Sequence, residues 1–289
     1  MIPEAEVRRL AGRWGVDPMA VDLDYVLGCF LASLYRQDGA AALRFKGGSC
    51  LRKCYYPDYR FSEDLDFTGE GPIRQEELER LLATVVRSAA DEWQIDFGVR
   101  PIRAEVVDDE YGKESYEVRL YYRGPLRRGG DPRAIRLDVT TDELLAFPPA
   151  KRAVSHPYSD AVALAGVEVP CYDLLEVLAE KVRALAGQRR YAISRDLYDI
   201  SQLAARHKVD VNRLAAALPA KMKVKGLDAV ETEFERLDQR REEFKADWER
   251  NLVHLLPPGQ NVDFDGAWQT AMAFLAGTYQ ALRAVLGKG

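Results

Sequence analysis

Histidine is scarce in this chain, and its cysteines keep apart. Among 289 residues there are 3 His and 4 Cys, the cysteines at 29, 50, 54 and 171 with no C-x-x-C pair. That spacing matches none of the ligand patterns of structural zinc, so no zinc cluster is expected. The thiols read as small buried side chains in a reducing compartment. No apolar core follows the opening MIPEAEVRRL, so no signal peptide is read there. No stretch approaches the roughly 18 apolar residues of a membrane span. The expected setting is the cytoplasm, with no membrane partner, and the expected state is a monomer. An excess of positive charge is also missing. A net charge of −5 argues against a protein that coats nucleic acid at large, while leaving room for a local basic groove.

What is present is enough apolar material for a core. With 47% hydrophobic and 30% charged residues the chain reads as soluble and globular, and its length holds one large domain or two ordinary ones. Val21, Tyr25, Leu27, Phe30, Leu31 and Leu34 recur at helical spacing and predict a helix over 21–35. A strand over 42–45 runs into Gly47-Gly48, and a short helix over 49–56 follows. Residues 64–67 alternate as a half-buried strand does. A long helix is expected over 72–92, then strands over 95–107, 115–122 and 135–140. Residues 147–170 read as irregular. Beyond Cys171 strand patterns stop, and helices are expected over 173–187, 194–207, 210–217, 228–256 and 264–286. The fold class is α+β, with an α/β domain over 1–170 and a helical domain over 171–289.

The chemistry gathers in FKGGSCLR, residues 45–52, and YRFSEDLDF, residues 59–67. Strand side chains alternate faces, so Asp64 and Asp66 share one face while Leu65 and Phe67 turn to the core. Two carboxylates so close repel each other unless a cation sits between them. Mg²⁺ (or Mn²⁺) suits such a site, because it takes a few carboxylates and keeps waters and phosphate oxygens as its other ligands. In IRLDVT, Asp138 alternates with Ile135, Leu137 and Val139 and becomes a third acid if its strand lies beside the first pair. Taken alone, D-x-D reads more simply as two solvated acids on an open sheet. The preceding strand–Gly47-Gly48-Ser49–helix shifts the balance. Glycines let a backbone approach phosphate, a helix N-terminus offers free N–H groups, and the serine hydroxyl can donate.

A second oddity lies in LLEVLAEKVRALAGQRRYAISRDLYDISQLAA, residues 174–205. Leu174, Leu178, Val182 and Leu185 form an apolar stripe, and Lys181 falls inside it. An inward lysine costs free energy unless it meets an anion; the alternative is a stem that snorkels to the surface. In the next helix Ser194 is the expected N-cap. Asp196 projects between the buried Ile200 and Leu203, with Asp199 at its edge. Asp196 either complements the helix dipole or joins Lys181 in a polar junction.

Both segments carry a resemblance. GGSCLRK with RFSEDLDF is similar to the opening motif of the DNA polymerase β-type nucleotidyltransferase superfamily. More narrowly it resembles the AbiEii/AbiGii toxin family, which includes the MenT toxins. Glu180, Lys181, Arg183, Arg190, Arg195, Asp196, Tyr198 and Asp199 resemble a further motif of that family. The likeness spans about residues 20–207. It implies a nucleotidyltransferase-type mixed sheet with flanking helices and a helical C-terminal domain that completes the active site. Gly47, Gly48 and Ser49 would cradle triphosphate, with Ser62 in contact. Asp64 and Asp66 would hold the metal; the family varies where Asp138 stands. Lys181 would neutralise phosphate, and Asp196 would orient Lys181 or the nucleophile. Asp199 and Arg52 would belong to the nucleotide contacts, with Arg60 and Arg195 as secondary candidates.

The implied function is that of the toxin of a toxin–antitoxin pair: an NTP-dependent transferase that adds NMP to a tRNA 3′ end and blocks translation, with a cognate antitoxin as partner. Three basic clusters, residues 181–195, the arginine loop 123–133 and Lys221, Lys223 and Lys225, read as parts of an RNA groove or as plain solvated faces. The acidic segment 228–250, with nine acids and five bases, offsets them. Alternatives are transfer to a protein or small molecule, a metal-dependent nuclease, and a non-catalytic nucleotide-binding module.

Overall fold

Alternating strands and one apolar helix build the first of two compact units in the computed structural model. The structure describes all residues except 109–113, 128–129, 142, 187–190, 231–233, 258, 260–261 and 288–289. One unit comprises Met1–Asp142, Pro149–Tyr172 and Leu255–Pro258; the other comprises Glu143–Pro148, Asp173–His254 and Gly259–Gly289.

The first unit runs α1 (Glu4–Trp14), α2 (Pro18–Tyr35), β1 (Leu43–Lys46), α3 (Gly47–Cys50), β2 (Asp64–Gly69), α4 (Gln75–Trp93), β3 (Arg103–Asp108), β4 (Glu114–Tyr122), β5 (Arg133–Thr140), β6 (Ala150–Ala153) and β7 (Glu168–Cys171). The strands form one mixed sheet in the order β3-β4-β5-β2-β1-β7-β6. β2 pairs with β5, and β1 with β7, in parallel; the other neighbours are antiparallel. Leu65, Phe67, Ile135, Leu137 and Val139 point into a core shared with α2 and α4. The strand expected over 95–107 begins only at Arg103; Asp96 makes an isolated bridge to Arg123. β6 and β7 fall in the stretch read as irregular. Each has four residues; β6 has no buried position, and β7 alternates but carries Pro170, a residue that argues against a strand.

α2 differs from expectation in one respect. Its 18 residues have a mean hydropathy of 1.2, the length and composition of a membrane span, yet 78% of them are buried inside the protein. Asp17 caps it by accepting from the Met19 N–H, and Pro18 opens its first turn. Within this apolar helix sits Asp24. Its carboxylate takes Arg52 Nε at 2.6 Å, Lys53 Nζ at 2.7 Å and Tyr158 Oη at 2.7 Å, all buried. Burial alone pushes that carboxyl up, but the Arg52 and Lys53 cations outweigh it and hold the group well below the usual range.

The second unit holds α5 (Leu174–Ala186), α6 (Ser194–Arg206), α7 (Val211–Val224), α8 (Arg241–Asn251) and α9 (Phe264–Leu286). α9 packs along α6 and α7, and α5 packs on α6 and α7. α7 continues through Pro219, beyond its expected end. The single helix expected over 228–256 is instead a 3₁₀ stretch (Phe234–Arg240), α8 and a second 3₁₀ turn (Val253–Leu255). Ser194 is not the N-cap but the first helical residue. Its N–H and hydroxyl both donate to Asp247 of α8, at 2.7 and 2.6 Å, so an acid from another helix satisfies this end.

The lysine cluster of α7 also differs from its reading as a basic surface. Lys221 is fully buried and donates to Glu176 and to the Leu144 carbonyl at 2.7 Å. Lys225, also buried, lies 3.4 Å from Glu143, as does Arg183. Glu176 further accepts the N–H groups of Ala146 and Phe147. The cations are internal ties for the segment Glu143–Pro148, and only Lys223 of the three is exposed.

Removing one partner of a buried ion pair strands the other. Asp24→Ala is therefore expected to lower the unfolding free energy by about 3–5 kcal/mol. Exposed Asp38→Ala should change it by less than about 0.5 kcal/mol. Because the Asp24 carboxyl is depressed in the fold, its contribution is present above the ordinary carboxylate pKa and lost as pH falls below about 4. Urea titrations of both variants at pH 7 and about pH 2 check this, because most of the contribution is lost only well below the ordinary carboxylate pKa; an equal deficit at both pH values contradicts it.

Candidate functional site

One face of the sheet collects the polar side chains that the alternation leaves over. In β2/β5, Asp64 stands opposite Arg136, and Asp66 opposite Asp138. Across β1, Lys46 faces Asp66; across β4, Glu117 faces Asp138 and Arg119 faces Arg136; β3 adds Glu105 and Arg103. Residues paired across strands point to the same side. The face thus carries two neighbouring rows: Lys46, Asp66, Asp138, Glu117, Glu105, and Asp64, Arg136, Arg119, Arg103. Asp64, Glu117, Arg119, Arg136 and Asp138 line a concavity of about 290 Å³. Parallel pairing of β2 with β5 brings Asp138 to the first two acids, and it rests on the matching core sides of the two strands.

The crowding shows in Asp138. Burial, then the Asp64 and Glu117 carboxylates, raise its pKa to about 6, against the pull of Lys46 and Arg136. Lys46 Nζ lies 3.3 Å from Thr140 Oγ1 and 5.6 Å from the Tyr172 ring centre. Thr68 closes this polar floor through hydrogen bonds to Tyr172 Oη at 2.6 Å and Thr140 Oγ1 at 3.2 Å. Lys46, Glu117 and the three arginines have no motif of their own. Only the strand register reveals them; alternation on β4 and β5 is the signal that pointed to the right face.

The glycines have a reason besides a ligand. Gly47 has φ +75°, and a Cβ there would lie 2.0 Å from Asp66 Oδ2. A Cβ on Gly48 would lie 2.3 Å from the Arg60 guanidinium. The turn is thus pressed against an acid of the site on one residue and a buried arginine on the next. Gly47 and Gly48 open α3, which continues as a π turn over Leu51–Tyr55. Ser49, expected to offer its hydroxyl to phosphate, is buried and donates it to the Asp64 carbonyl instead. It fastens α3 to β2. Arg52 is likewise no surface contact: besides Asp24 it holds the Tyr59 and Pro57 carbonyls and lies on the Phe61 ring. Arg60 is buried and donates to the Phe61 carbonyl. Ser62, half-buried, stands two residues before Asp64 on the same strand approach.

In the second unit Lys181 meets its anions. Its ammonium lies 2.8 Å from Asp196 Oδ1 and 2.7 Å from Asp199 Oδ2. Lys181 and Asp196 retain slight exposure, whereas Asp199 is fully buried. Asp199 therefore holds Lys181 from the buried side. Of the basic stretch 181–195, Lys181 and Arg183 turn inward, Arg195 is half-buried, and Arg190 with Arg189 lies outside the described residues. In the arginine loop, Arg123 and Arg127 are exposed, Arg133 donates to the Met19 carbonyl, and Arg128 lies outside the described residues.

Three thiols also come together. Cys50, Cys54 and Cys171 place their sulfurs within 4.8 Å of one another, a grouping the missing C-x-x-C pair concealed.

Comparison with known proteins points one way. The family model described as nucleotidyl transferase AbiEii toxin, type IV toxin–antitoxin system, matches residues 29–272. Among solved structures, MenT4, a nucleotidyltransferase toxin of Mycobacterium tuberculosis H37Rv, is 23% identical with a TM-score of 0.60, covering 99% of each chain. JHP933 of Helicobacter pylori is 15% identical with a TM-score of 0.58, covering 94% of this chain and 97% of that one. At these identities the likeness shows the shared fold: a mixed sheet with helices and a helical C-terminal region. No protein of curated function matches the sequence.

A carboxyl raised in the fold disfavours its ionised form. Its stability contribution is present below about pH 4 and lost as pH rises through about 6. Without divalent ions, Asp138→Asn is therefore expected to be more stable than the parent at pH 7.5, by roughly 1–2 kcal/mol after discounting for solvent, and equal to it near pH 4. Chemical denaturation in chelator at the two pH values tests this, and a gap of the same size at both would refute it.

Proposed function

The chain belongs to the AbiEii family of nucleotidyl transferase toxins, type IV toxin–antitoxin systems, and from that membership we propose that it transfers NMP from an NTP to the 3′ end of an RNA, tRNA by family resemblance, and so blocks translation. The observation that carries this reading is the acid row with Gly47 pressed on Asp66. Three carboxylates share one face, and one of them is already raised by burial and by its acidic neighbours. Such a set fits a hard divalent cation of the Mg²⁺ or Mn²⁺ class, with Asp64, Asp66 and Asp138 as its holders. When bound, that ion supplies charge neutralisation at the phosphates and a lower pKa for an attacking hydroxyl.

The chain's own groups do the rest. The N–H groups opening α3 serve the triphosphate, with Ser62 beside them. Ser49 keeps that turn in place through the Asp64 carbonyl. Lys181, held by Asp196 and Asp199, neutralises phosphate charge in the same reaction. A hydroxyl attacks the α-phosphorus, its proton passes to solvent or a carboxylate, and pyrophosphate leaves. Preorganised charge suffices for such a step; neither His nor Cys is required.

The row Arg136, Arg119, Arg103 supports a polyanionic acceptor. Three exposed arginines directly opposite one another repel, and a phosphate backbone laid beside Asp64 relieves them. This row replaces the inward lysines of α7 as the basic surface. The cytoplasm, where NTP and tRNA occur, is the proposed setting, and a cognate antitoxin is the proposed partner.

Incubation of each α-labelled NTP with total RNA and with lysate protein decides the acceptor. Label in RNA at its 3′ end is expected. Label confined to protein or small molecules overturns the RNA reading, and RNA shortening without NTP indicates a nuclease. Asp66→Ala and Lys181→Ala are each expected to lower transfer by several kcal/mol in the transition state, roughly 10³-fold. Growth arrest that persists in Asp66→Ala instead indicates a non-catalytic module. Arg119→Ala should weaken RNA binding and reduce the salt slope of log K by about 0.7–0.9, with NTP affinity unchanged.

A further inference from the structure

The thiol cluster lies behind the turn that carries the glycines. Cys50 closes α3, immediately after Ser49. Cys54 follows within the π turn Leu51–Tyr55, and Cys171 ends β7. β7 is fixed beside β1 through the Phe45/Cys171 pair, and the Tyr172 N–H donates to the Phe45 carbonyl at 2.9 Å. Tyr55 Oη donates to the Tyr172 carbonyl at 2.6 Å and closes the other side. Two elements more than a hundred residues apart in sequence are thus clamped so that three sulfurs converge. All are free thiols, and Cys54 is half-buried, which leaves a route from solvent. Cys29, the fourth cysteine, stands outside the group.

We propose that Cys50, Cys54 and Cys171 form a three-thiolate site for one thiophilic d¹⁰ cation, Zn²⁺ in the first instance. Zinc–sulfur bonds of about 2.3 Å in tetrahedral geometry place sulfurs just under 4 Å apart, so closure of the present triangle asks for shifts of less than about 1 Å. Soft sulfur donors separate this site from the oxygen donors at Asp64, Asp66 and Asp138, which suit hard cations. Binding is an exchange without electron transfer: up to three S–H protons leave to buffer as three S–Zn bonds form. Three protein ligands leave a fourth position for water or a buffer ligand on the Cys54 side. A cation there would brace α3 against β7, directly beneath the glycine turn.

Co²⁺ serves as the visible probe, with the reduced full-length chain in excess Mg²⁺ to occupy the carboxylates. One equivalent is expected to produce thiolate-to-cobalt charge-transfer absorption in the near ultraviolet, bleached by one equivalent of Zn²⁺. Cys54→Ser should abolish the band while Cys29→Ser keeps it. In the unsubstituted chain, which avoids any folding defect of the variants, Zn²⁺ should slow alkylation of Cys54 by N-ethylmaleimide. Absence of the band, its persistence in Cys54→Ser, or alkylation unchanged by Zn²⁺ would each overturn the proposal. None of these readouts depends on nucleotidyl transfer, so they stand or fall apart from it.

Discussion

A single buried carboxylate organises the first unit. Asp24, in the middle of the most apolar helix of the chain, takes a guanidinium, an ammonium and a phenol at once. Its two cations are consecutive residues, Arg52 and Lys53, on the helical segment that begins with Gly47. The ion cluster therefore sets where that segment lies on the core helix. Everything attached to the segment inherits the placement: the glycine turn, the Ser49 bond to β2, and two of the three clustered thiols. Arg52 extends the same hold to the Pro57 and Tyr59 carbonyls, on the approach to Ser62 and Asp64.

Buried charge recurs in the second unit, where Glu176 and Glu143 hold Lys221, Lys225 and Arg183. Glu176 carries its buried charge because it is paired with Lys221 and further hydrogen-bonded by two backbone N–H groups. A count of basic residues along the chain cannot separate these from a solvated groove. Lys221, Lys223 and Lys225 look alike as letters, yet the first and third are internal and the second is not. By contrast, the arginines that do share an exposed face lie at 103, 119 and 136, with nothing in their spacing to announce it.

Local pattern was legible and long-range pairing was not. The shared face of Asp64 and Asp66 follows from a period of two, and the inward lysine in α5 from a period of 3.6. Both survive in the structure. The partners were harder. A motif names Arg52 and Asp199 without saying which neighbour each one meets. Asp24 claims one and Lys181 the other. Ser49 shows the same limit: a hydroxyl in a phosphate-type turn is instead a rivet between helix and strand. β6 and β7 escaped because four residues leave a short record, one without a buried position and the other interrupted by Pro170.

The contact between Gly47 and Asp66 has a historical side. A side chain at 47 and a carboxylate at 66 compete for one volume, so the order in which substitutions arrive matters. A copy of this gene released from selection could first lose Asp66 and then accept alanine at 47 without meeting the acid, at the cost only of a side chain at φ +75°. Restoring the aspartate would afterwards fail, because its space is taken. Inactivation by that route behaves as a ratchet, and repair requires two coordinated changes rather than one. The glycine-turn and acid-strand positions are thus coupled through one shared volume, and a change at either sets what the other can hold.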